Sequence, residues 1–321
     1  MPSEPPKRLI GVDIGGTTVK LGAVAPDGTV LAEDSVPVAG VPDAAIVLDD
    51  VARVVRDLAA GTPAAGIGVG MPGLIDRAEG RVQESPNLPI FNGVHLGAEL
   101  ARRLELPPDA VRIENDANVA ALGEAWRGAA RGERHVMILT LGTGIGGGLI
   151  LDGELYVGEG MAGEIGHVTV DPDGLACGCG SRGCLETLAS ATAVRRRAEE
   201  LGLPPDAPGN LERLAERARA GEGPERELLE RVGCDLGHGL AEALCLLDVR
   251  SFVFGGGFAA ALDTLEPGIR RGVGEWAYGE RVEDIRIARA ALGPSAGWIG
   301  AARLTLPSSP SPAAHITPNR P

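Results

Sequence analysis

The sequence predicts an α/β protein built from two related halves. One pattern occurs twice, as "GVDIGGTTVKLGAVAPDG" at 11–28 and as "LTLGTGIGGGLILDG" at 139–153. In each copy an apolar strand enters a Gly/Thr loop, returns as a second strand and ends at an Asp-Gly turn. The chain between the copies alternates short apolar runs with segments of helical periodicity. A repeated unit of this kind indicates a duplicated architecture.

The first half is predicted to begin with three consecutive strands and to continue as alternating strands and helices. We expect strands at 8–15, 19–25, 29–38, 64–70 and 111–115, and helices at 43–60, near 93–104 and at 116–130. Asp43 suits the start of the first helix because its carboxylate can accept hydrogen bonds from the first free backbone N–H groups. Residues 74–93 are predicted to form a long loop.

The second half is predicted to begin with another pair of strands and to continue mainly as helices. We expect strands at 135–142, 148–153 and 283–290, and helices at 186–201, 209–220, 224–247 and 295–306. Residues 251–260 are predicted to form a strand that runs into a glycine turn and a helix. The tail at 307–321 is rich in Pro and Ser, which predicts disorder.

Composition limits the possible classes of function. The chain has 321 residues, 44% apolar and 23% charged, which is ordinary for a soluble protein of about two domains. A net charge of −14 argues against a general nucleic-acid binder. No apolar run is long enough to span a membrane, and the start lacks a signal-peptide pattern. We therefore expect a cytoplasmic protein, with neither nucleic acid nor membrane as a partner and with reduced thiols.

The glycine-rich loops suggest a phosphate site but exclude two common kinds. Gly142, Gly144 and Gly147 fit G-x-G-x-x-G, but an alternating strand follows instead of the helix that dinucleotide binding requires. The sequence also lacks a P-loop motif. A Gly/Thr hairpin tip can hold phosphate through its backbone N–H groups, although it can also be an ordinary tight turn. Two such loops, together with "FGGG" at 254–257 before a helix, favour a nucleotide site.

Asp116 follows a predicted strand and begins a predicted helix, in "ENDANVAALGEAW". Its carboxylate could simply cap the helix. It could also act as the general base that phosphoryl transfer to an alcohol requires. Asn115 could then hydrogen-bond a polyol, and Glu114 is predicted to be structural.

Three cysteines and one histidine form a compact set of metal ligands. His167 precedes "CGCGSRGC", which contains Cys177, Cys179 and Cys184. One imidazole and three thiolates form a closed tetrahedral set that suits structural zinc, although free thiols in a glycine-rich loop remain an alternative. Such a site would fix nearby Glu164 and Glu186 in a polar pocket with Asp116. Cys234 and Cys245 are predicted to be small core residues of a helix.

Several of these blocks resemble the signature motifs of the ROK sugar kinases. They are "GVDIGGTTVKLG", "ENDANVAALGEAW", "LTLGTGIGGGLI", "GEIGHVTV" and "CGCGSRGCLETLAS", in the family's order. The resemblance covers residues 8 to 305 and is strongest to bacterial ROK glucokinases. It implies an actin-like, ribonuclease-H-like fold of two α/β lobes with a cleft between them. The small lobe would be 1–114 plus 295–306, and the large lobe 115–294 with the zinc loop.

The resemblance also implies roles for individual residues. Asp116 would be the catalytic base that takes the proton from the sugar 6-hydroxyl. Sugar would be bound by Asn87, Asn115, Asp116, Glu164, His167 and Glu186. The phosphates and Mg²⁺ would face Asp13, Gly15, Gly16 and Thr17, with a second phosphate loop at Gly142, Thr143 and Gly144 and the adenosine end at Gly255, Gly256 and Gly257. Structural Zn²⁺ would be held by His167, Cys177, Cys179 and Cys184.

The function implied is ATP-dependent phosphorylation of glucose by a homodimer or homotetramer, with glucose and MgATP as partners. Other ROK activities stay open, namely N-acetylmannosamine kinase, fructokinase, allose kinase and polyphosphate glucokinase. The family also contains sugar-responsive repressors, which carry an additional N-terminal helix-turn-helix. Only seven residues precede the first predicted strand and the chain is acidic, so we expect a kinase.

Overall fold

A computed structural model describes residues 7–61, 64–203, 211–221, 223–278 and 282–307. The first half contains β1 (Leu9–Ile14), β2 (Thr18–Val24), β3 (Val30–Pro37), α1 (Ala44–Ala59), β4 (Gly66–Met71), β5 (Leu74–Asp76), β6 (Arg81–Glu84), α2 (Leu96–Leu104), β7 (Val111–Asn115) and α3 (Asp116–Arg127). The second half contains β8 (Val136–Leu141), β9 (Ile145–Leu151), β10 (Glu154–Tyr156), α4 (Leu185–Ala189), α5 (Ala191–Glu200), α6 (Leu211–Ala220), α7 (Pro224–Leu247), β11 (Ser251–Gly255), α8 (Leu262–Trp276), β12 (Arg286–Arg289) and α9 (Ala296–Arg303).

The two halves contain five-stranded sheets of the same topology. The first sheet has the strand order β3-β2-β1-β4-β7, and the second has the order β10-β9-β8-β11-β12. In each sheet the three strands that come first in sequence are antiparallel, and the last two add in parallel beside the first. The duplicated architecture predicted from the repeated motif is therefore confirmed, and it places the loops after β1 and β8 at equivalent positions.

Helices cover the sheets according to their apolar faces. The first sheet shares a core with α1 and α2, and the second shares a core with α4 to α8. Helix α9 packs on β1, β2 and β4, whereas α3 packs on β8 and β9, and these two helices also pack against each other. Trp298 of α9 is 2% exposed, and its indole lies against Gly22. Burying this much aromatic surface fixes α9 on the first sheet.

Several predicted boundaries shift in the structure. The helix predicted at 186–201 is two helices, α4 and α5, because the backbone of Ser190 is extended and its hydroxyl accepts a hydrogen bond from Ala193 N at 3.1 Å. The strand predicted at 148–153 begins at Ile145, so the preceding loop has only three residues. The loop predicted at 74–93 contains the β5–β6 hairpin.

Other sequence predictions fall partly outside the structure. Residues 308–321 of the predicted disordered tail, and 209–210 of the predicted helix at 209–220, lie outside the described residues. Cys245 is exposed, so its assignment to the core was wrong. The division into lobes at 1–114 plus 295–306 and 115–294 stays a prediction. In the part of the chain that is described, none of the helices has the length and apolar character needed to cross a membrane.

Candidate active site

The junction between β7 and α3 positions the candidate base. Asn115 is the N-cap of α3, since its Oδ1 accepts hydrogen bonds from Ala117 N at 2.8 Å and Asn118 N at 3.3 Å. The cap predicted as an alternative role for Asp116 is thus supplied by its neighbour, and Asp116 is the first residue of the helix. The amide of Asn115 also donates to Gly73 O at 3.2 Å, which leaves one of its N–H groups for a ligand.

A buried carboxylate lies directly behind this junction. Glu114 is 4% exposed and receives two hydrogen bonds from Arg77, at 2.5 and 2.6 Å. It also accepts from Asn118 Nδ2 at 2.9 Å and from Asn115 N at 2.7 Å. The structural role predicted for Glu114 is therefore specific: it is a hydrogen-bonded counter-charge that fixes the end of β7 and the first turn of α3.

Asp13 and Asp116 form the acidic centre of the site. Burial and, to a lesser extent, the charge of Asp116 together raise the pKa of Asp13 to about 7, against the lowering effect of Lys20. A side chain at Gly297, in the first turn of α9, would overlap the Asp13 carboxylate, so this group sits close to that helix end. Burial also raises the pKa of Asp116, against the lowering effect of its hydrogen bond from Ala117 N. A base with a raised pKa accepts a proton more readily near neutral pH.

Glu164 interacts electrostatically with Asp116, Glu186 and His167. The pKa of Glu164 is raised mainly by burial and also by the charges of Asp116 and Glu186, while His167 opposes the shift. Glu186, in the first turn of α4, accepts a hydrogen bond from Ile145 N at 2.9 Å. A side chain at Gly144 would overlap Glu186 Oε2. The acidic pocket and the loop after β8 are therefore in direct contact.

The predicted zinc ligands converge. One donor atom each from His167, Cys177, Cys179 and Cys184 lies within 4.8 Å of all the others. The Cys177 Sγ–His167 Nδ1 and Cys179 Sγ–Cys184 Sγ distances are both 3.7 Å. Ligands about 2.3 Å from a tetrahedral zinc are about 3.8 Å apart, so the donor set fits this ion. Burial, with the neighbouring thiols, raises the pKa of Cys184 to about 12, so without a cation it stays protonated.

Two loops of equal length connect the first strand pair of each sheet. Residues 15–17 join β1 to β2, and residues 142–144 join β8 to β9. Gly15 N donates to Thr18 O at 3.1 Å, and Gly142 N donates to Gly144 O at 3.0 Å. Gly16, Thr17 and Thr143 are exposed at the loop tips, where a ligand can reach them. The predicted phosphate loops are therefore both hairpin tips at equivalent sheet ends.

A cavity of about 440 Å³ connects the second of these loops to the glycine turn after β11. Its lining residues are Gly142, Thr143, Ala191, Arg195, Leu211, Glu212, Gly257, Phe258, Ala260 and Ala261. At Gly256 the backbone has φ 83°, and a side chain there would overlap Leu141 O. The size is within the range of small-molecule sites. The structure thus brings together two of the glycine segments that the sequence singled out.

Sequence reasoning missed Arg195 and Glu212, which line this cavity. The Nε of Arg195 is buried without a hydrogen-bond partner in the described part of the chain. No pattern signals this arginine, because it lies in a charged stretch, "RRRAEE", that is typical of a solvated helix face. Asn87, by contrast, is exposed in the turn before residues 89–91, and its predicted sugar contact stays a prediction.

The fold and the acidic, glycine-lined site define a two-lobed α/β protein with features of a phosphotransferase. The sequence matches the ROK family over residues 9–307. It is 37% identical over 317 residues to a protein named glucokinase in Thermotoga maritima, covering 94% of this chain and 98% of that protein. This chain therefore belongs to the ROK family.

Solved structures agree with this assignment. A ROK hexokinase from Thermus thermophilus is 34% identical with a TM-score of 0.79, covering 93% of this chain and 97% of that chain. A ROK glucokinase from Streptomyces griseus, solved in complex with glucose and AMPPNP, is 34% identical with a TM-score of 0.75. The match covers 92% of this chain and 98% of that chain. The actin-like, two-lobe sugar kinase fold expected from the sequence motifs is confirmed.

Replacing Asp13 should stabilise the ligand-free protein in a pH-dependent way. The unfolded carboxyl titrates at 3.8 and the folded one at about 7, so between these values the folded state binds more protons. The free energy of unfolding of the wild type therefore falls as pH rises through this window. Asp13→Asn avoids this cost. Its gain in the free energy of unfolding over the wild type, measured by urea unfolding, should be small below pH 3.8 and largest above about pH 7.

The control for this experiment is Asp27→Asn, on the exposed turn after β2, whose carboxyl is not raised in pKa. An equal stability change for Asp13→Asn at both ends of the pH window would show that the Asp13 carboxyl is not destabilised by its surroundings.

Proposed function

We propose that this protein transfers the γ-phosphoryl group of MgATP to the 6-hydroxyl of glucose. The observation that carries the proposal is the position of Asp116, a half-buried carboxylate of raised pKa at the head of α3 that interacts electrostatically with both Asp13 and Glu164. The ROK glucokinase from Streptomyces griseus was solved with glucose and AMPPNP, and the relative from Thermotoga maritima is named glucokinase.

Asp116 acts as general base in this mechanism. Its carboxylate accepts the proton of the 6-hydroxyl as the hydroxyl oxygen forms a bond to the γ-phosphorus, and the bond to the β,γ-bridging oxygen of ADP breaks. The head of α3 is fixed by the Asn115 cap and the Glu114 network, so the base is held in place before substrate arrives. Fixed geometry of this kind lowers the entropy cost of the reaction.

The two hairpin loops bind the phosphate groups of ATP. Gly15, Gly16 and Thr17 on one side, and Gly142, Thr143 and Gly144 on the other, offer backbone N–H and hydroxyl donors. Asp13 faces the same space and would hold the Mg²⁺ that accompanies ATP. The ion neutralises phosphate charge that would otherwise be repelled by the carboxylates. Magnesium would add to Lys20 the positive charge needed to stabilise the Asp13 carboxylate beside Asp116.

Glucose occupies the pocket made by Asn87, Asn115, Asp116, Glu164, His167 and Glu186. Carboxylates suit sugar hydroxyl groups because they accept hydrogen bonds from them, and an imidazole N–H can donate a hydrogen bond to a hydroxyl oxygen. His167 turns its Nδ1 toward Cys177, which leaves Nε2 for the sugar. His167, Cys177, Cys179 and Cys184 would hold a structural Zn²⁺, which would fix the imidazole and the start of α4, the helix that carries Glu186.

The adenosine end of ATP occupies the cavity between Thr143 and Gly257. The unpaired Nε of Arg195 donates to the nucleotide there. The homodimer or homotetramer, the cytoplasmic location and ATP rather than polyphosphate as the donor stay predictions of the family resemblance.

The first test is activity with and without the base. With MgATP, the wild type should phosphorylate glucose in preference to mannose, fructose, allose and N-acetylmannosamine, and polyphosphate should not replace ATP. Asp116→Asn should lower kcat by about 10²–10⁴-fold, because it removes the proton acceptor, while glucose affinity by calorimetry stays within about tenfold. Asp27→Asn is the control and should keep wild-type kcat. Near-normal turnover of Asp116→Asn would show that Asp116 is not the general base. Preference for another sugar would show that glucose is not the substrate.

Removing a zinc ligand should weaken sugar binding. Cys179→Ser should lose one equivalent of bound zinc, and its KM for glucose should rise by about 10–100-fold, since ligand orientation is lost. Cys245→Ser, a change of an exposed cysteine elsewhere, should alter neither quantity. Zinc loss with an unchanged glucose KM would show that the metal does not organise the sugar pocket.

Arg195 should affect only the nucleotide side. Arg195→Ala should raise the KM for ATP by about 5–100-fold through loss of a charge-assisted hydrogen bond, with the glucose KM unchanged. Arg196→Ala is the matched control, because the neighbouring Arg196 pairs with Glu200 and Thr187 O instead. If both variants had wild-type KM for ATP, Arg195 would have no part in the nucleotide site.

A further inference from the structure

A second cluster of metal-ligand side chains lies outside the sugar and nucleotide sites. Cys234 and His238 are on α7, and Glu275 is near the end of α8. One donor atom from each of the three lies within 4.8 Å of the others. His238 Nε2 is 2.9 Å from Glu275 Oε2, and Cys234 Sγ is 3.7 Å from His238 Nε2 and 3.6 Å from Glu275 Oε2.

The packing of the two helices produces this convergence. Cys234 and His238 are four residues apart, so they project from the same face of α7. Helices α7 and α8 run in the same direction and approach closely, because a side chain at Gly237 would overlap Ile269 O and one at Gly272 would overlap Cys234 O. Trp276 stacks on the His238 ring at 4.0 Å, with an interplanar angle of 11°. The imidazole is therefore held in a defined orientation.

The geometry differs from that of a catalytic Cys-His-Glu relay. In such a relay the nucleophile and the orienting carboxylate contact opposite ring nitrogens of the histidine. Here the thiol and the carboxylate both face Nε2 of His238. The thiol sulfur, the carboxylate oxygen and the Nε2 nitrogen instead face one another, and this arrangement suits three ligands around one cation.

The chemistry of the three donors selects the class of ion. Thiolate, imidazole and carboxylate together are ligands of zinc, at about 2.0–2.3 Å from the ion. Sulfur contacts of 3.6 and 3.7 Å match the separations around a tetrahedral ion, and Glu275, whose side chain is 48% exposed, is free to move away from His238. Three protein ligands leave one position open to solvent.

Arg271 is the charged group that opposes a cation here. It interacts with Cys234, but it also lies 3.6 Å from the Glu230 carboxylate and donates to Glu230 O at 3.3 Å. Its guanidinium therefore has an alternative partner one helical turn away. Burial raises the pKa of the Cys234 thiol although Arg271 opposes the shift, so a bound cation has to displace the thiol proton.

We propose that Cys234, His238 and Glu275 form a second metal site, which takes a zinc-class divalent cation and links α7 to α8. The site is independent of the sugar and nucleotide pockets. The simpler interpretation is that His238 and Glu275 form a surface hydrogen bond without a metal, and the two interpretations predict different behaviour of the Cys234 thiol.

Zinc titration of the full chain, with the four-ligand site already filled, tests the proposal. The wild type should bind one zinc ion more than Cys234→Ser or Glu275→Gln, counted by elemental analysis after gel filtration. Zinc should also slow the alkylation of Cys234 by at least about tenfold, read by peptide mass spectrometry, because a coordinated thiolate is a poor nucleophile. Glu275 is exposed, so its replacement should leave the fold intact.

Cys245, on the same helix and exposed, is the internal control, and its alkylation should not depend on zinc. Cys245→Ser should keep the second ion. The proposal is overturned if zinc leaves Cys234 alkylation unchanged, or if the wild type and Glu275→Gln bind equal amounts of zinc. Glucose phosphorylation by these variants does not enter the readout, so failure here leaves the proposed function intact.

Discussion

The buried carboxylate of Glu114 is the interaction on which the site depends. It receives four hydrogen bonds, two from Arg77 and one each from Asn118 and the backbone of Asn115. A buried charge of this kind is tolerated only when its partners are complete, and losing one partner costs about 3–5 kcal/mol, less here because the Arg77 side chain is 27% exposed. Asn115 and Asn118 belong to the β7–α3 junction that carries Asp116, and Arg77, from the turn between β5 and β6, holds the carboxylate from outside it. Glu114 therefore fixes the position of Asp116, although Glu114 itself takes no part in the proposed proton transfer.

The rest of the site places several carboxylates between the two five-stranded sheets, which have the same topology. Asp13 lies near the end of β1, against the first turn of α9, and Asp116 directly follows β7 at the start of α3. These two helices pack against each other, so both carboxylates lie where α3 and α9 meet the first sheet. Their raised pKa values show that the ligand-free protein bears an electrostatic cost. The Mg²⁺ that is proposed to accompany ATP would relieve this cost by supplying positive charge between the carboxylates.

Sequence reasoning succeeded where a local pattern has one physical meaning. The repeated strand–loop–strand unit, the position of Asp116 at a helix start and the spacing of His167 with three cysteines all correspond to the structure. It failed where the outcome depends on tertiary contacts. The break at Ser190 is one extended residue inside a helical pattern, and Arg195 becomes significant only because α5 faces the glycine turn after β11. Cys245 looked like a core residue because its side chain is small, yet α7 turns it outward.

Glu186 connects the acidic pocket to the loop 142–144 through a single oxygen atom. Its Oε2 accepts the backbone N–H of Ile145, at the foot of the loop 142–144, while the same carboxylate lies beside Glu164. A hydroxyl group that engages this carboxylate changes the acceptor on which the loop rests. If glucose binds Glu186 as proposed, the same hydrogen bond would make the position of the loop 142–144 depend on whether the sugar is bound.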